Sequence, residues 1–167
     1  EGKSYNNTKA DGQRYYIFVP DGDYQLTGNT TISCSTDPKD APKDEKGEPK
    51  TDMNGQNNGM TEIVKSNISL IGQSKEGVRI WNHPIVEGIT YTATINLPKL
   101  ENKTIEDFYV QDLTLENKFD YWGSVSGQDA SGAGRAVAFW DRGNRTVMKN
   151  VSLLSWQDTY YSDNSND

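Results

Sequence analysis

The stretch from Gly134 to Ser162, GRAVAFWDRGNRTVMKNVSLLSWQDTYYS, alternates apolar and polar residues as strands do, and closes on Gln157-Asp158-Thr159-Tyr160-Tyr161. A strand needs no such cluster for its own stability. Asp158 supplies a carboxyl, and a carboxyl at a strand end either caps a turn or moves a proton. On local pattern alone the turn cap is the readier reading, and Gln157 by itself has no functional reading. Metal chemistry is poorly supplied. With one His and one Cys in the chain, a zinc site of the usual ligand types cannot be assembled. His83, in WNHPI beside a proline, reads as a loop or surface residue. No metal and no cofactor is expected.

The elements that must position Asp158 are constrained first by composition. The 167 residues, 33% hydrophobic and 10% aromatic, make one domain with enough apolar surface for a lean core. A mean hydropathy of −0.83 would also suit disorder, but the tyrosines, tryptophans and Val/Ile runs are spread along the whole chain and argue for folding. The net charge of −7, from 24 acidic against 17 basic residues, argues against a nucleic-acid partner. No apolar run approaches the roughly 20 residues of a membrane span. No signal peptide is visible either, although the chain opens on EGKSYNNTK in mid-phrase, which leaves a cleaved N-terminus open. Cys34 is a lone cysteine, so an intramolecular disulfide is excluded and the compartment is left undecided.

Short strand-like segments recur and convincing amphipathic helices do not. RYYIFVP (14–20), NISLIGQ (67–73), YTATINL (91–97), FYVQDLTLEN (108–117), GRAVAFW (134–140) and RTVMKNVSLLS (145–155) are rich in β-branched and aromatic residues. SNISLIG, EDFYVQDLTLEN and MKNVSLLS resemble one another: Asn or Asp precedes an alternating apolar run. That recurrence suits a solenoid, in which inward side chains stack on those of the neighbouring coil and a thin core suffices. Periodicity alone leaves an antiparallel sandwich equally open. Residues 35–60, STDPKDAPKDEKGEPKTDMNGQNNGM, break the pattern with prolines, glycines and mixed charge, and read as a polar insertion loop, with a substrate-facing flap as its alternative. Asn-X-Ser/Thr sequons at Asn6, Asn29, Asn67, Asn102, Asn144 and Asn150 carry little weight in so Asn-rich a chain.

The phrase AVAF-x-D-R-G-N-R-T-V-x-K-N-V-x-L-L-S-W-Q-D-T-Y-Y resembles the signature of the pectin methylesterase family, in which a Gln-Ala-Val-Ala-Leu strand is followed one coil later by Tyr-Gln-Asp-Thr-Leu-Tyr. YYIFVPDGDYQL is similar to that family's early strand and Gly-x-Tyr turn, SNISLIGQSKEGVRIWN to its next coil, and FYVQDLTLEN to its Asp-Ile-Thr-Phe-Glu-Asn coil. Four phrases in the right order cover most of the chain outside the insertion. The resemblance implies an all-β fold, a right-handed parallel β-helix of which these are the N-terminal coils. It implies hydrolysis of methyl esters of galacturonic acid units in pectin, without a metal, by a secreted, periplasmic or cell-surface protein. One Asp of the family is the nucleophile and a second is general acid and then base; Asp158 matches the second. Such a role is physically reasonable, since a carboxyl held protonated by its surroundings can give a proton and later take one. Gln157 matches the oxyanion-hole glutamine. Adjacent strand residues point to opposite faces, so Gln157 and Asp158 serve one site only if the pleat is interrupted there. Tyr161 matches a substrate-contacting aromatic, and Trp156 stands where the family usually has Tyr.

Two departures qualify the carry-over. Arg135, 23 residues before Asp158, replaces the family's Gln; it could donate to an oxyanion or hold a galacturonate carboxylate. The chain also stops at SDNSND, before the family's Val-Asp-Phe-Ile-Phe-Gly and Gly-Arg-Pro-Trp phrases, so the nucleophile is expected outside these residues, and the remainder of the same polypeptide, or another chain, is expected to complete the helix and cover its open last coil. Asp163 and Asp167 read as polar-loop residues without strand context, and Arg142, Arg145 and Lys149 as a solvated basic face. Two other functions stay open. A pectin lyase or polygalacturonase would need clustered carboxylates, for calcium or as an acid pair, and none is visible. A non-catalytic polysaccharide-binding β-helix would keep the scaffold alone.

Overall fold

A computed structural model describes residues 13–27, 30–32, 59–84, 88–89, 92–101, 103–122 and 134–163. Its strands are β1 (Tyr15–Val19), β2 (Gly22–Leu26), β3 (Thr30–Ile32), β4 (Thr61–Ile63), β5 (Ile68–Gly72), β6 (Val78–Asn82), β7 (Ile95–Leu97), β8 (Tyr109–Asn117), β9 (Phe139–Asp141), β10 (Val147–Leu154) and β11 (Tyr160–Ser162). Every pairing between them is parallel. One sheet runs β1-β5-β8-β6-β2 with β10 beside β8; the other, of three-residue strands, runs β11-β9-β7-β4-β3. From β4 onward the chain visits the short-strand sheet, then the long sheet, then the short-strand sheet again. That winding is a parallel β-helix, and crossovers between parallel strands of a sheet take the right-handed sense.

Three corners repeat from coil to coil. At the first, Asn67, Asp107 and Arg145 hold φ of 62°, 57° and 60°, and the coils are tied there by Asn67 N–H to Glu106 O (2.9 Å) and Asp107 N–H to Asn144 O (3.0 Å). Asn and Asp tolerate this left-handed conformation better than most side chains. Arg145 secures its own place with bonds to both Asp107 oxygens (2.8 and 2.7 Å) and to Glu106 (3.1 Å). At the second corner one coil uses the loop between β5 and β6. The next two coils use a single left-handed residue, Asp112 (φ 52°) and then Asn150 (φ 52°), whose Nδ2 donates to Asp112 Oδ1 at 2.7 Å. β8 therefore bends mid-strand and pairs β5 with its first half and β6 with its second. Gly72 lies against that bend so closely that a Cβ there would sit 2.0 Å from the Asp112 carbonyl oxygen. The pairing aligns Asn67 with Asp107 and Arg145, because β5 meets only the first half of β8.

The third corner leads into the short-strand sheet and is held by buried polar side chains. Asn82 Nδ2 and Asn117 Nδ2 both donate to Thr92 O (2.8 Å each), Asn117 Nδ2 also reaches Val137 O at 3.0 Å, and Thr94 Oγ1 donates to Asn82 Oδ1 at 2.7 Å. One coil later Ser155 Oγ takes over and donates to Ala136 O. Bonds of this kind satisfy carbonyls that no regular ladder reaches.

Between the sheets lies the core: Ile63, Ile68, Leu70, Val78, Ile95, Leu97, Ile105, Phe108, Val110, Leu113, Leu115 and Phe139. Phe108 stacks on Phe139 with centroids 5.7 Å apart. The strands expected over 91–97 and 134–140 are shorter than the pattern suggested, β7 and β9 starting at Ile95 and Phe139. The segments before them leave the third corner and are bent there, although buried. Gly59 (φ 74°) and the buried Met60 already lead into β4, so the coil resumes before the expected end of the 35–60 insertion; residues 35–58 lie outside the described residues. The strands on either side of it, β3 and β4, are parallel neighbours, Thr30 opposite Thr61.

Candidate active site at the start of the last short strand

The Gln157-Asp158 pair does not end a strand; it leads into one. β10 finishes at Leu154, the chain bends through Trp156 and Gln157, and β11 starts at Tyr160. Asp158 takes φ 55°, so the pleat is interrupted at the position where alternation would have set Gln157 and Asp158 on opposite faces. The backbone beneath is that of Arg135 and its neighbours, one coil earlier: Ala136 N–H donates to Gln157 O (3.0 Å), Ala138 N–H to Thr159 O (3.0 Å), and Gly88 N–H to Arg135 O (2.9 Å). The fold thus brings Arg135 and the Gln157-Asp158 pair onto adjacent coils. Gln157 is exposed, and Arg135 and Asp158 are half-buried.

From this point β11 sends Tyr160 inward and Tyr161 outward. Tyr160 stacks on Phe139 at 6.1 Å, 3° from parallel, and its hydroxyl donates to Asp141 Oδ2 at 3.0 Å; burial first, then the charge and hydrogen bond of Asp141, push the phenol up from its ordinary range. Asp141 Oδ1 also accepts from Gly143 N–H (2.9 Å) and Thr146 Oγ1 (3.0 Å), so this buried carboxylate is spent on structure. Tyr161 packs edge-on against Trp140, centroids 6.2 Å apart, in a small outer cluster with Ala93, Val137 and Ile89. The pairing lines Glu62, Asn96, Trp140 and Tyr161 into one outward row across four strands.

That row carries residues that sequence reading missed. Arg142 is not on a solvated basic face: its guanidinium carbon lies 3.7 Å from the Trp140 ring centroid and its Nε lies 3.7 Å from Asp163 Oδ1. Burial pulls its pKa below the ordinary value, opposed by Asp163, Glu62 and Tyr161. Asp163 is not a residue without strand context either; it follows β11 directly and accepts the Trp140 indole N–H at 3.0 Å. Glu62, 3% exposed, accepts from Asn96 Nδ2 at 2.9 Å. The outward alternation of Trp140 and Arg142 in FWDR was the available signal.

Trp156, 55% exposed, sits just before Gln157. Tyr121 stacks against it at 5.9 Å and Trp122 meets it edge-on at 5.6 Å. These rings border a groove over the outer face of β6, β8 and β10, lined also by Trp81, His83, Lys118 and Leu154. Lys118 Nζ lies 3.5 Å over the Trp81 ring, and His83 is exposed. Exposed indoles such as Trp122 and Trp156 beside a cation suit sugar rings. Among the described residues no group of three or more His, Cys, Asp or Glu is placed to hold a metal ion, and no helix is long and apolar enough to cross a membrane.

No family model and no curated protein sequence matches the chain. Its fold does match solved structures: pectin methylesterase PemA from Erwinia chrysanthemi (TM-score 0.57, 20% identity) and a pectin methylesterase in complex with hexasaccharide VII (TM-score 0.55, 20% identity). Each superposition covers 93% of this chain, but 38% and 39% of those structures, so the chain spans well under half the length of either. The likeness establishes the parallel β-helix, the fold that the sequence phrases implied.

Proposed function

We propose that the protein is a carbohydrate esterase acting on methyl esters of galacturonic acid units in pectin, and that Asp158 is its general acid and base. The observation that carries the reading is the left-handed Asp158 between two bends at the head of β11, set over the Arg135 coil and flanked by Trp156 and Tyr161. The solved β-helices of similar fold are pectin methylesterases, and the Gln-Asp-Thr phrase with its upstream partners belongs to the same resemblance.

The chemistry runs in two halves. A nucleophilic Asp, assigned to a coil beyond these residues, attacks the ester carbonyl carbon. The Gln157 amide donates to the oxyanion that forms, and Arg135 adds positive charge nearby. Asp158 gives its proton to the departing methoxide, and methanol leaves. Asp158, now a carboxylate, takes a proton from water as that water attacks the acyl carbon, which frees the galacturonate and restores the nucleophile. Tyr161 and Trp156 present ring faces to sugar units on either side. The reading places the protein outside the cytoplasm, where pectin is met, and seats a further coil on the free edges of β10 and β11, where Val147, Leu154 and Tyr160 are exposed.

A non-catalytic glycan-binding helix is the second reading, favoured by the Tyr121, Trp122 and Trp156 cluster. One assay separates the alternatives. Incubated with methyl-esterified pectin, the whole protein should release methanol without creating new chain ends. New reducing or unsaturated ends would indicate a hydrolase or lyase, and binding without methanol would indicate the glycan-binding helix.

A further inference from the structure

Arg142 is placed to recognise a carboxylate. Among the described residues, Arg142 Nε and Asn96 Oδ1 are the buried side-chain polar atoms without a hydrogen-bond partner. Asp163 does not satisfy Nε: at 3.7 Å it is an ion pair rather than a hydrogen bond, and the same Oδ1 already takes the Trp140 indole N–H. The contrast with other arginines is sharp. Arg145 makes three hydrogen bonds to Asp107 and Glu106, and Arg79 donates its Nε to Glu116 Oε2 at 2.5 Å. Arg142 instead lies over an indole with its side chain 18% exposed. A buried guanidinium donor left unspent is costly, and the fork geometry of arginine matches a carboxylate edge.

The neighbourhood says which carboxylate. Trp140 joins Arg142 to Tyr161, the aromatic three residues beyond Asp158. The acids facing Arg142 are Glu62 and Asp163. Glu62 is buried and held by Asn96, while the Asp163 side chain is 40% exposed just past the strand end. We infer that Arg142 is a specificity residue that binds the free carboxylate of a galacturonate unit near the scissile ester, and that Asp163 is an internal stand-in which that carboxylate displaces. The inference rests on the pectin reading and adds to it a preference for partly de-esterified stretches.

Calorimetric binding to the full polypeptide tests it, with Asp158→Asn as the background so that esters survive. The probes are a free-acid oligogalacturonide and its fully methyl-esterified counterpart. Arg142→Gln should weaken the free acid about tenfold, the scale of one charged hydrogen-bond pair, and leave the ester within about twofold. Arg142→Lys, which keeps the charge but not the fork, should fall between. Asp163→Asn should tighten the free acid, a gain that misfolding cannot mimic. Equal weakening of both probes by Arg142→Gln, no weakening, or a loss with Asp163→Asn would overturn the assignment. If the background protein binds neither probe, the pectin reading itself falls; if it binds both and Arg142→Gln changes nothing, Arg142 alone is excluded.

Discussion

Ile63, Ile95, Leu97 and Phe139 project from one face of the short-strand sheet into the core, and Glu62, Asn96 and Trp140 project from the other; all seven are 5% exposed or less. The inner face is what a solenoid needs, apolar rows stacked coil on coil. The outer face is buried as thoroughly but holds a carboxylate, an amide and an indole with an arginine laid over it. Among the described residues, the buried side-chain polar atoms without a partner, Asn96 Oδ1 and Arg142 Nε, lie on or beside this outer row. Stability alone does not call for such a surface, since an unsatisfied buried polar atom costs about 1–3 kcal/mol. The inner rows hold the coil together, and the outer row carries the polar groups that surround Arg142.

Substitution can break that division. Phe139→Ala removes a ring stacked between Phe108 and Tyr160, and chemical denaturation should show a loss of about 3–5 kcal/mol. Trp140→Phe keeps a ring on the outer face and deletes the N–H that Asp163 accepts; the loss should be about 1 kcal/mol. Equal losses would mean that the outer face is simply more core. A smaller effect belongs to the exposed first corner, away from both faces. Hydrogen bonds from Arg145 hold the Asp107 carboxyl below the usual carboxylate range. A depressed folded value means that the stabilisation is complete above the unfolded pKa of about 3.9 and disappears as pH falls through the folded one. Asp107→Asn, which keeps the left-handed corner, should therefore be slightly less stable than wild type at pH 7. The two proteins should converge on acidification below about pH 4 and in high salt.

How much of this was legible in the sequence follows from where the information sits. β5, β8 and β10 announce themselves through alternation over five to nine residues. β3, β4 and β11 have three residues each, too few for a period, and their partners lie one coil away at spacings that vary with each loop. The Asn and Asp residues before the apolar runs were visible as a repeat, but among the described residues the long sheet has left-handed residues at two corners, and only the pairing shows that Asn67 shares one with Asp107 and Arg145. Asp158 stood out as a residue without a strand-building purpose, although it lies in the bend that leads into β11 and does not end β10. Arg142 and Asp163 were hidden because both are ordinary surface types, and the Trp140 indole that joins them acts across coils.

The central claim, that Asp158 transfers protons at the head of β11, is tested most directly by methanol release from methyl-esterified pectin by the whole protein carrying Asp158→Asn. Asn occupies the left-handed position and caps a turn about as well as Asp, so the folded protein should melt as wild type does. It cannot give or take the proton, and turnover should fall by about 10²–10⁴. Methanol release at the wild-type rate from a normally folded Asp158→Asn protein would contradict the account and leave Asp158 a turn residue.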